Sequence, residues 1–253
     1  MPKANTPADT IRHALAKVSQ LREERAGNPT LREAVSNTKA LQSRRFSGTY
    51  TDLVGDASYA AAAHFFLHEL YADRDFAERD AQFSRIASTL PKVFPAAVVA
   101  TASALADLHA LTEQLDHAVG KAHLAGSSKG AFDGTEAHRY LHAWRTVGEE
   151  SKRRHQLATV LYIGQELARL TRTPGLRTLL KLMRAPANAA GMGALQQFLE
   201  SGFDTFAALT RHPGGAQAFL DLIAQREGAW LDTLFHVPLP EAALVLQSAL
   251  DSH

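Results

Sequence analysis

Histidines and carboxylates at helical spacing are where this 253-residue sequence could do chemistry, and twelve histidines are many for the length. His64 and His68 are four apart, as are His138 and His142, and His109, Glu113 and His117 continue at the same interval. Side chains at i and i+4 share one face of a helix, so each set presents imidazole nitrogens that suit a transition metal. The patterns of a specific metal centre are missing. A carboxylate di-metal bundle needs Glu-x-x-His on two helices, yet no Glu or Asp here has His three residues on, and His-Glu-x-x-His does not occur. We therefore expect no metal and no cofactor, with the histidines at the surface or hydrogen-bonded in the core.

Three carboxylates fall inside apolar stripes. Asp80 is four after Phe76 and three before Phe83; Glu227 is four after Ile223 and four before Leu231; Glu69 is three after Phe66. A buried acid must be paired, hydrogen-bonded or protonated, which serves scaffold and catalysis equally. A structural pairing with Arg79, Arg226 or another base is the expectation. The ligand-binding candidates are thus His64, His68, Glu69, Asp80 and Glu227, with the catalytic residues, if any, unknown. Arg177, Lys181 and Arg184 form a basic face that can hold phosphate or an anionic surface, but three charges are few for nucleic acid, which is disfavoured.

Charge is unevenly spread although the formal net is only +1. Asp52, Asp56, Glu69, Asp73, Asp75, Glu78 and Asp80 oppose only Arg74 and Arg79, whereas residues 167–199 hold Arg169, Arg172, Arg177, Lys181 and Arg184 and no acid. The two blocks are expected to lie near each other and neutralise one another. Gly126-Ser-Ser-Lys-Gly130 lacks the spacing and the preceding strand of a phosphate loop, and no Gly-x-Ser-x-Gly elbow occurs.

The segment Phe65-Phe66-Leu67-His68-Glu69-Leu70-Tyr71, followed by Asp75-Phe76 and Arg79-Asp80, resembles the signature of the bacterial proteins named for their FFLEELY motif. A weaker similarity continues through Arg45-Phe46, Pro186-Ala187, the run from Phe198 to Phe203 and Arg226-Glu227, so it covers most of the chain. That family has no assigned function, and the resemblance implies kinship alone. His68 stands where the motif has Glu, so a role built on His68 would not be shared by relatives that keep the Glu.

The elements that must position these residues read as helices almost throughout, because Leu and Ala greatly outnumber Val and Ile and no period-two alternation is present. The stretch 57–72 is apolar nearly all round a helical wheel, which places it as a central buried helix of a compact all-α, multi-helix bundle. Thr6-Pro7 and Asn28-Pro29 open two helices, and Asp75 and Glu78 have the spacing of a capping box for a third. A long pattern from Ala96 to about Leu124 ends in the Gly/Ser loop 125–134. The chain is expected to be one domain over 1–253, or two halves, 1–124 and 135–253, joined by that loop.

Hydrophobic content of 45% and charged content of 21% are those of an ordinary globular chain and exclude a disordered one. Without cysteine there are no disulfides or thiolate nucleophiles. No apolar segment approaches the roughly 18 residues of a membrane span, and the start Met-Pro-Lys-Ala-Asn-Thr-Pro has no apolar run behind Lys3, so a cytoplasmic location is expected. Two functions remain open. A binding or protein-interaction module, its partner an unknown protein or small molecule, comes first; the alternative is a helical-bundle enzyme or sensor holding a metal or small molecule near Glu69, Asp80 and Glu227.

Overall fold

A computed structural model describes residues 6–67, 76–127 and 134–252. Among them every regular element is helical and no strand occurs: α1 Pro7–Ala26, α2 Pro29–Thr49, α3 Thr51–Gly55, α4 Ala60–Phe65, α5 Ala77–Ile86, α6 Leu90–Val93, α7 Ala96–Ser127, α8 Glu136–Val147, α9 Glu150–Leu170, α10 Leu176–Leu182, α11 Arg184–Ala189, α12 Gly193–Leu209, α13 Gly215–His236 and α14 Leu239–Asp251. The all-α bundle expected from the sequence is the architecture found. No helix among the described residues is long and apolar enough to cross a membrane.

Local chemistry sets the helix starts. Thr6 Oγ1 accepts from the Asp9 N–H (3.2 Å) while Asp9 Oδ2 accepts from the Thr6 N–H (3.3 Å), a reciprocal cap that satisfies two otherwise orphaned donors of α1. Asn28 Oδ1 accepts from the Leu31 N–H at 3.1 Å, with Pro29 in the first turn of α2. The capping pair sought at Asp75 and Glu78 falls partly outside the described residues, and α5 begins at Ala77 after Phe76. The long helix runs to Ser127, farther than periodicity placed it.

The apolar stretch around Tyr59 is shorter as a helix than its composition implies. α4 ends at Phe65, and Phe66 and Leu67 continue in one wider turn of π type. Ala62, Ala63, Phe65, Phe66 and Leu67 are buried, whereas Ala61 and His64 are exposed, so the helix keeps a solvent side despite its alanines. Alanine is tolerated on either side of a helix, which is why the wheel looked closed. Residues 68–72 lie outside the described residues.

The chain divides into two compact units, each assembled from three stretches. The first comprises Met1–Gln20, Arg74–Ala110 and Thr159–Asp221; the second comprises Leu21–Asp73, Leu111–Ala158 and Leu222–His253. Both units take residues from either side of the 125–134 segment. In the first, α10 and α11 pack on α12, with Leu170, Leu176, Leu180 and Phe203 buried together. α5 also lies on α12, and the buried Gln82 side chain accepts the Leu195 N–H at 2.9 Å, so α5 supplies a cap for the first turn of α12. That bond fixes the helix carrying Asp80.

In the second unit α14 packs on both α8 and α2, and Leu41, Val119, Leu141, Trp144, Leu231 and Leu246 belong to one buried cluster. Arg145 donates to the Leu234 carbonyl (2.7 Å) and the Val237 carbonyl (2.5 Å), closing the end of α13. Gly148 and Glu149 both take left-handed φ (+65° and +62°), and this two-residue turn sends the chain from α8 into α9. It sets Arg153 over Trp144, the guanidinium 4.0 Å from the ring centre.

At Gly48 α2 approaches α14 so closely that a methyl group there would collide with the Ala249 carbonyl. Backbone cannot step aside as a side chain can, so Gly48→Ala should cost at least the roughly 1–3 kcal/mol typical of overpacking. Gly55→Ala, which meets nothing within 4 Å, should be neutral or slightly stabilising. Paired denaturant melts check this; equal midpoints for the two variants would contradict the close approach.

Candidate functional site

Asp80 lies in the first turn of α5, four residues after Phe76, where the helix N-terminus favours negative charge. Only 5% of it is exposed. His109 Nε2 on α7 lies 3.0 Å from Oδ2, and Arg79 Nε lies 3.9 Å from Oδ1. The Arg79 guanidinium rests 4.0 Å over the Phe76 ring and 4.7 Å from the Phe198 ring, and His109 meets Phe76 edge-on. The acid is thus held by two bases that are themselves seated on aromatic rings.

Asp80 also lines a cleft of about 390 Å³ between α1 and α5. Arg12, Leu15, Ala16 and Ser19 form one wall; Ala77, Ala81, Ser84 and Arg85 join Asp80 in the other. Arg12 is engaged by Asp9 at 3.1 Å in an exposed i,i+3 pair, and Arg85 makes a long 3.4 Å bond to the Gly191 carbonyl.

Glu227 belongs to the second unit, in a denser ionic arrangement. Arg45 on α2 reaches it with two bonds, Nη1 to Oε1 at 2.6 Å and Nη2 to Oε2 at 2.9 Å, and Tyr50 donates its hydroxyl to Oε1 at 2.8 Å. Arg45 lies 3.8 Å over Phe46 and 5.2 Å from the Trp230 ring centre, and Trp230 donates its indole N–H to Thr49 Oγ1 at 2.9 Å. Burial works against the charge on Arg45, but Glu227 outweighs it, and the guanidinium holds its proton more firmly than usual. Arg226, the neighbour expected to pair with Glu227, turns instead to Asp52 with two 2.7 Å bonds.

Two further ionic groups share this unit. Glu113 accepts from Arg25 (2.8 Å) and from Lys39. Asp116 accepts from Gln42 Nε2 at 2.9 Å and lies 3.7 Å from Arg153, while burial pushes its carboxyl above the usual carboxylate range, more than Arg153 and Lys39 pull it down. Arg153 also donates to Gln156 Oε1 (3.3 Å), whose amide donates to Thr112 (2.7 Å). A pocket of about 50 Å³ in the same unit is lined in part by Gln42, Arg45, Trp144, Arg153, Glu227 and Trp230.

His64 is exposed, and His68 and Glu69 lie outside the described residues. His109 serves Asp80, Glu113 serves Arg25 and Lys39, and His117 faces Glu24 at 3.2 Å, so these three do not converge. Among the described residues no group of three His, Asp or Glu side chains is placed to hold a metal ion. On the basic face, Arg177 pairs with Asp204 at 2.9 Å and Arg184 with Glu200, whose carboxyl is lowered to about 2 chiefly by Arg184 and then by Gln196. Arg169 pairs with Glu166. The expectation that the basic block neutralises the acids of 52–80 is corrected for Arg169, Arg177 and Arg184, which take partners at Glu166, Asp204 and Glu200 just outside the block, while Asp52 goes to Arg226 and Asp80 to His109; Glu69, Asp73 and Asp75 lie outside the described residues.

Arg45 and Arg153 were not read as buried, although the sequence carried a signal for both. Arg45 is four after Leu41 in the buried stripe of α2, and Arg153 stands four and seven residues before Leu157 and Val160. Both arginines, like Glu227, stand at helical spacing from buried apolar residues. A family model described as a domain of unknown function (DUF8198) matches residues 21–238, a span that holds Asp80 and every residue around Glu227. No curated protein and no solved structure matches the chain.

Glu227→Gln should leave the buried Arg45 without its counter-charge at a cost of about 3–5 kcal/mol, whereas the double change Arg45→Met with Glu227→Leu should be more stable than either single variant. Additive losses in a denaturant-melt cycle would contradict the pairing. Asp116 carries the opposite sign. Its folded carboxyl binds a proton more tightly than the unfolded one, so it costs stability as pH rises from about 3.8 through the raised value. Relative to Asp116→Asn, the parent should lose stability over that window by at most about 1.4 kcal/mol per pH unit, and parallel pH profiles would show no such shift.

Proposed function

We propose, from the premise that the chain belongs to the DUF8198 family of domains of unknown function, that it is a binding module whose first-unit cleft takes a small molecule carrying an anionic group beside a hydrogen-bond donor. The observation that carries this reading is Asp80, a buried carboxylate that also lines a cleft whose two walls each bear an arginine. A volume of about 390 Å³ is in the range of small-molecule sites. Arg12 and Arg85 are weakly held, by an exposed i,i+3 pair and by one long bond, so either can turn to a carboxylate or phosphate at little cost. Ala16, Ala77 and Ala81 keep the walls low enough for close approach. Asp80 repels a plain polyanion and accepts from an ammonium or hydroxyl group, so amino acids and hydroxy acids are the class that answers both ends. The Phe65–Tyr71 resemblance supports placing the chain among the bacterial FFLEELY-motif proteins as part of the same proposal.

A protein partner is the second reading. Leu244 and Val245 favour it, adjacent on α14 and 73% and 46% exposed.

Thermal melts at fixed ionic strength with L-serine, lactate, succinate and inorganic phosphate test the first reading. An amino or hydroxy acid at about a hundredfold excess over its Kd should add about 2.7 kcal/mol, roughly 5–10 °C in Tm. The shift should vanish in Arg12→Gln/Arg85→Gln, and Asp80→Asn should erase the preference over succinate. No stabilisation by any of the four, or a shift that survives the double variant, would sink the proposal.

A further inference from the structure

A single anionic group on a ligand would use only one of the two arginines that line the first-unit cleft. The charged side chains of the lining are Arg12, Asp80 and Arg85, two positive and one negative. Asp80 is fixed, with His109 Nε2 at 3.0 Å from one oxygen and Arg79 Nε at 3.9 Å from the other. The two arginines are exposed and lightly held, Arg12 by Asp9 in an i,i+3 pair and Arg85 by one 3.4 Å bond to the Gly191 carbonyl. Each wall is one helical face, residues 12 to 19 of α1 at i, i+3, i+4 and i+7 and residues 77 to 84 of α5 at the same spacing. Along α5, Arg85 stands five residues beyond Asp80, about 7.5 Å of helix rise. The acid and the cations thus meet a ligand at separate points.

We infer that the preferred occupant of this cleft is an acidic amino acid, its ammonium at Asp80 and one of its two anionic groups at each of Arg12 and Arg85. The inference rests on the reading of the cleft as a small-molecule site and names the ligand class within it. Two cations and one anion in the lining are matched one for one by two anions and one cation on the ligand, and such complementarity is what gives specificity. L-serine would leave one arginine with its present partner, and succinate would place nothing at Asp80. A guanidinium meets a carboxylate or phosphate through two charge-assisted bonds, stronger than neutral ones. What the ligand displaces is an exposed ion pair and one long carbonyl bond, so little is subtracted from its affinity. A volume of about 390 Å³ is at the small end of ligand sites, which suits a free amino acid.

The test is calorimetric titration of the full chain, at fixed ionic strength, with L-aspartate, L-glutamate and O-phospho-L-serine. L-glutamine, which lacks the second anion, and N-acetyl-L-glutamate, which lacks the ammonium, are the comparators. At least one of the acidic amino acids should bind at least about tenfold more tightly than L-glutamine. Arg12→Gln and Arg85→Gln, taken singly, should then differ: one should abolish the preference for L-glutamate over L-glutamine, and the other should weaken both ligands alike. Asp80→Asn should abolish the preference for L-glutamate over its N-acetyl derivative. Binding of L-serine and L-glutamine as tightly as any acidic amino acid would leave the cleft reading standing and overturn this inference, as would a glutamate-to-glutamine ratio that neither single variant changes. Binding of none of these ligands would overturn both.

Discussion

A guanidinium taken out of water has to meet its counter-charge, and that requirement at Arg45 governs the second unit. Arg45 is 7% exposed and Glu227 9%, and the two come from helices α2 and α13, 182 residues apart in sequence. Two bonds between a planar fork and a carboxylate tolerate little sliding, and the Tyr50 hydroxyl supplies a third constraint on the same oxygen. Trp230, one turn on from Glu227, ties the same two helices again through Thr49. Any other register of α13 on α2 would strand charges in an apolar interior, a penalty of several kcal/mol per ion. The pair therefore acts through exclusion of wrong arrangements more than through net stabilisation.

The first unit treats its buried acid differently. Asp80 meets an imidazole at 3.0 Å and a guanidinium at 3.9 Å, not a bidentate fork. Elsewhere in that unit, the pairs Arg169–Glu166, Arg177–Asp204 and Arg184–Glu200 join arginines that are each at least half exposed to nearby acids. Pairs of that kind are screened by salt and contribute little to the fold. What they do is neutralise locally, and that removes the basic face as an open attraction for a polyanion.

Much of this fold was legible because helices announce themselves through spacing and caps. Thr6-Pro7 and Asn28-Pro29 open helices where those residue types must, and Phe76–Phe83 and Ile223–Leu231 place Asp80 and Glu227 on apolar stripes that are indeed buried. Partners were not legible. The contacts Arg45–Glu227, Gln42–Asp116 and Arg25–Glu113 join residues 74 to 182 positions apart, and one sequence holds no record of such pairings. The charge-block reading went astray for a related reason: a window ending at 167 and 199 omitted Glu166 and Glu200, the acids that neutralise it. Arg45 and Arg153 escaped because long basic side chains are expected to reach solvent from any position, whereas stacking on Phe46 and Trp144 keeps these two inside.

The contrast between the two buried acids also separates exchange from permanence. A ligand that comes and goes must be met by groups whose present partners are weakly held, since every bond it displaces subtracts from its affinity. Arg12 and Arg85 answer that description; Arg45 does not, having two bonds to Glu227 and an aromatic ring on each side. On the proposed reading, the cleft beside Asp80 would use arginines free to turn and an acid fixed in place, a division of labour suited to selection among small ligands.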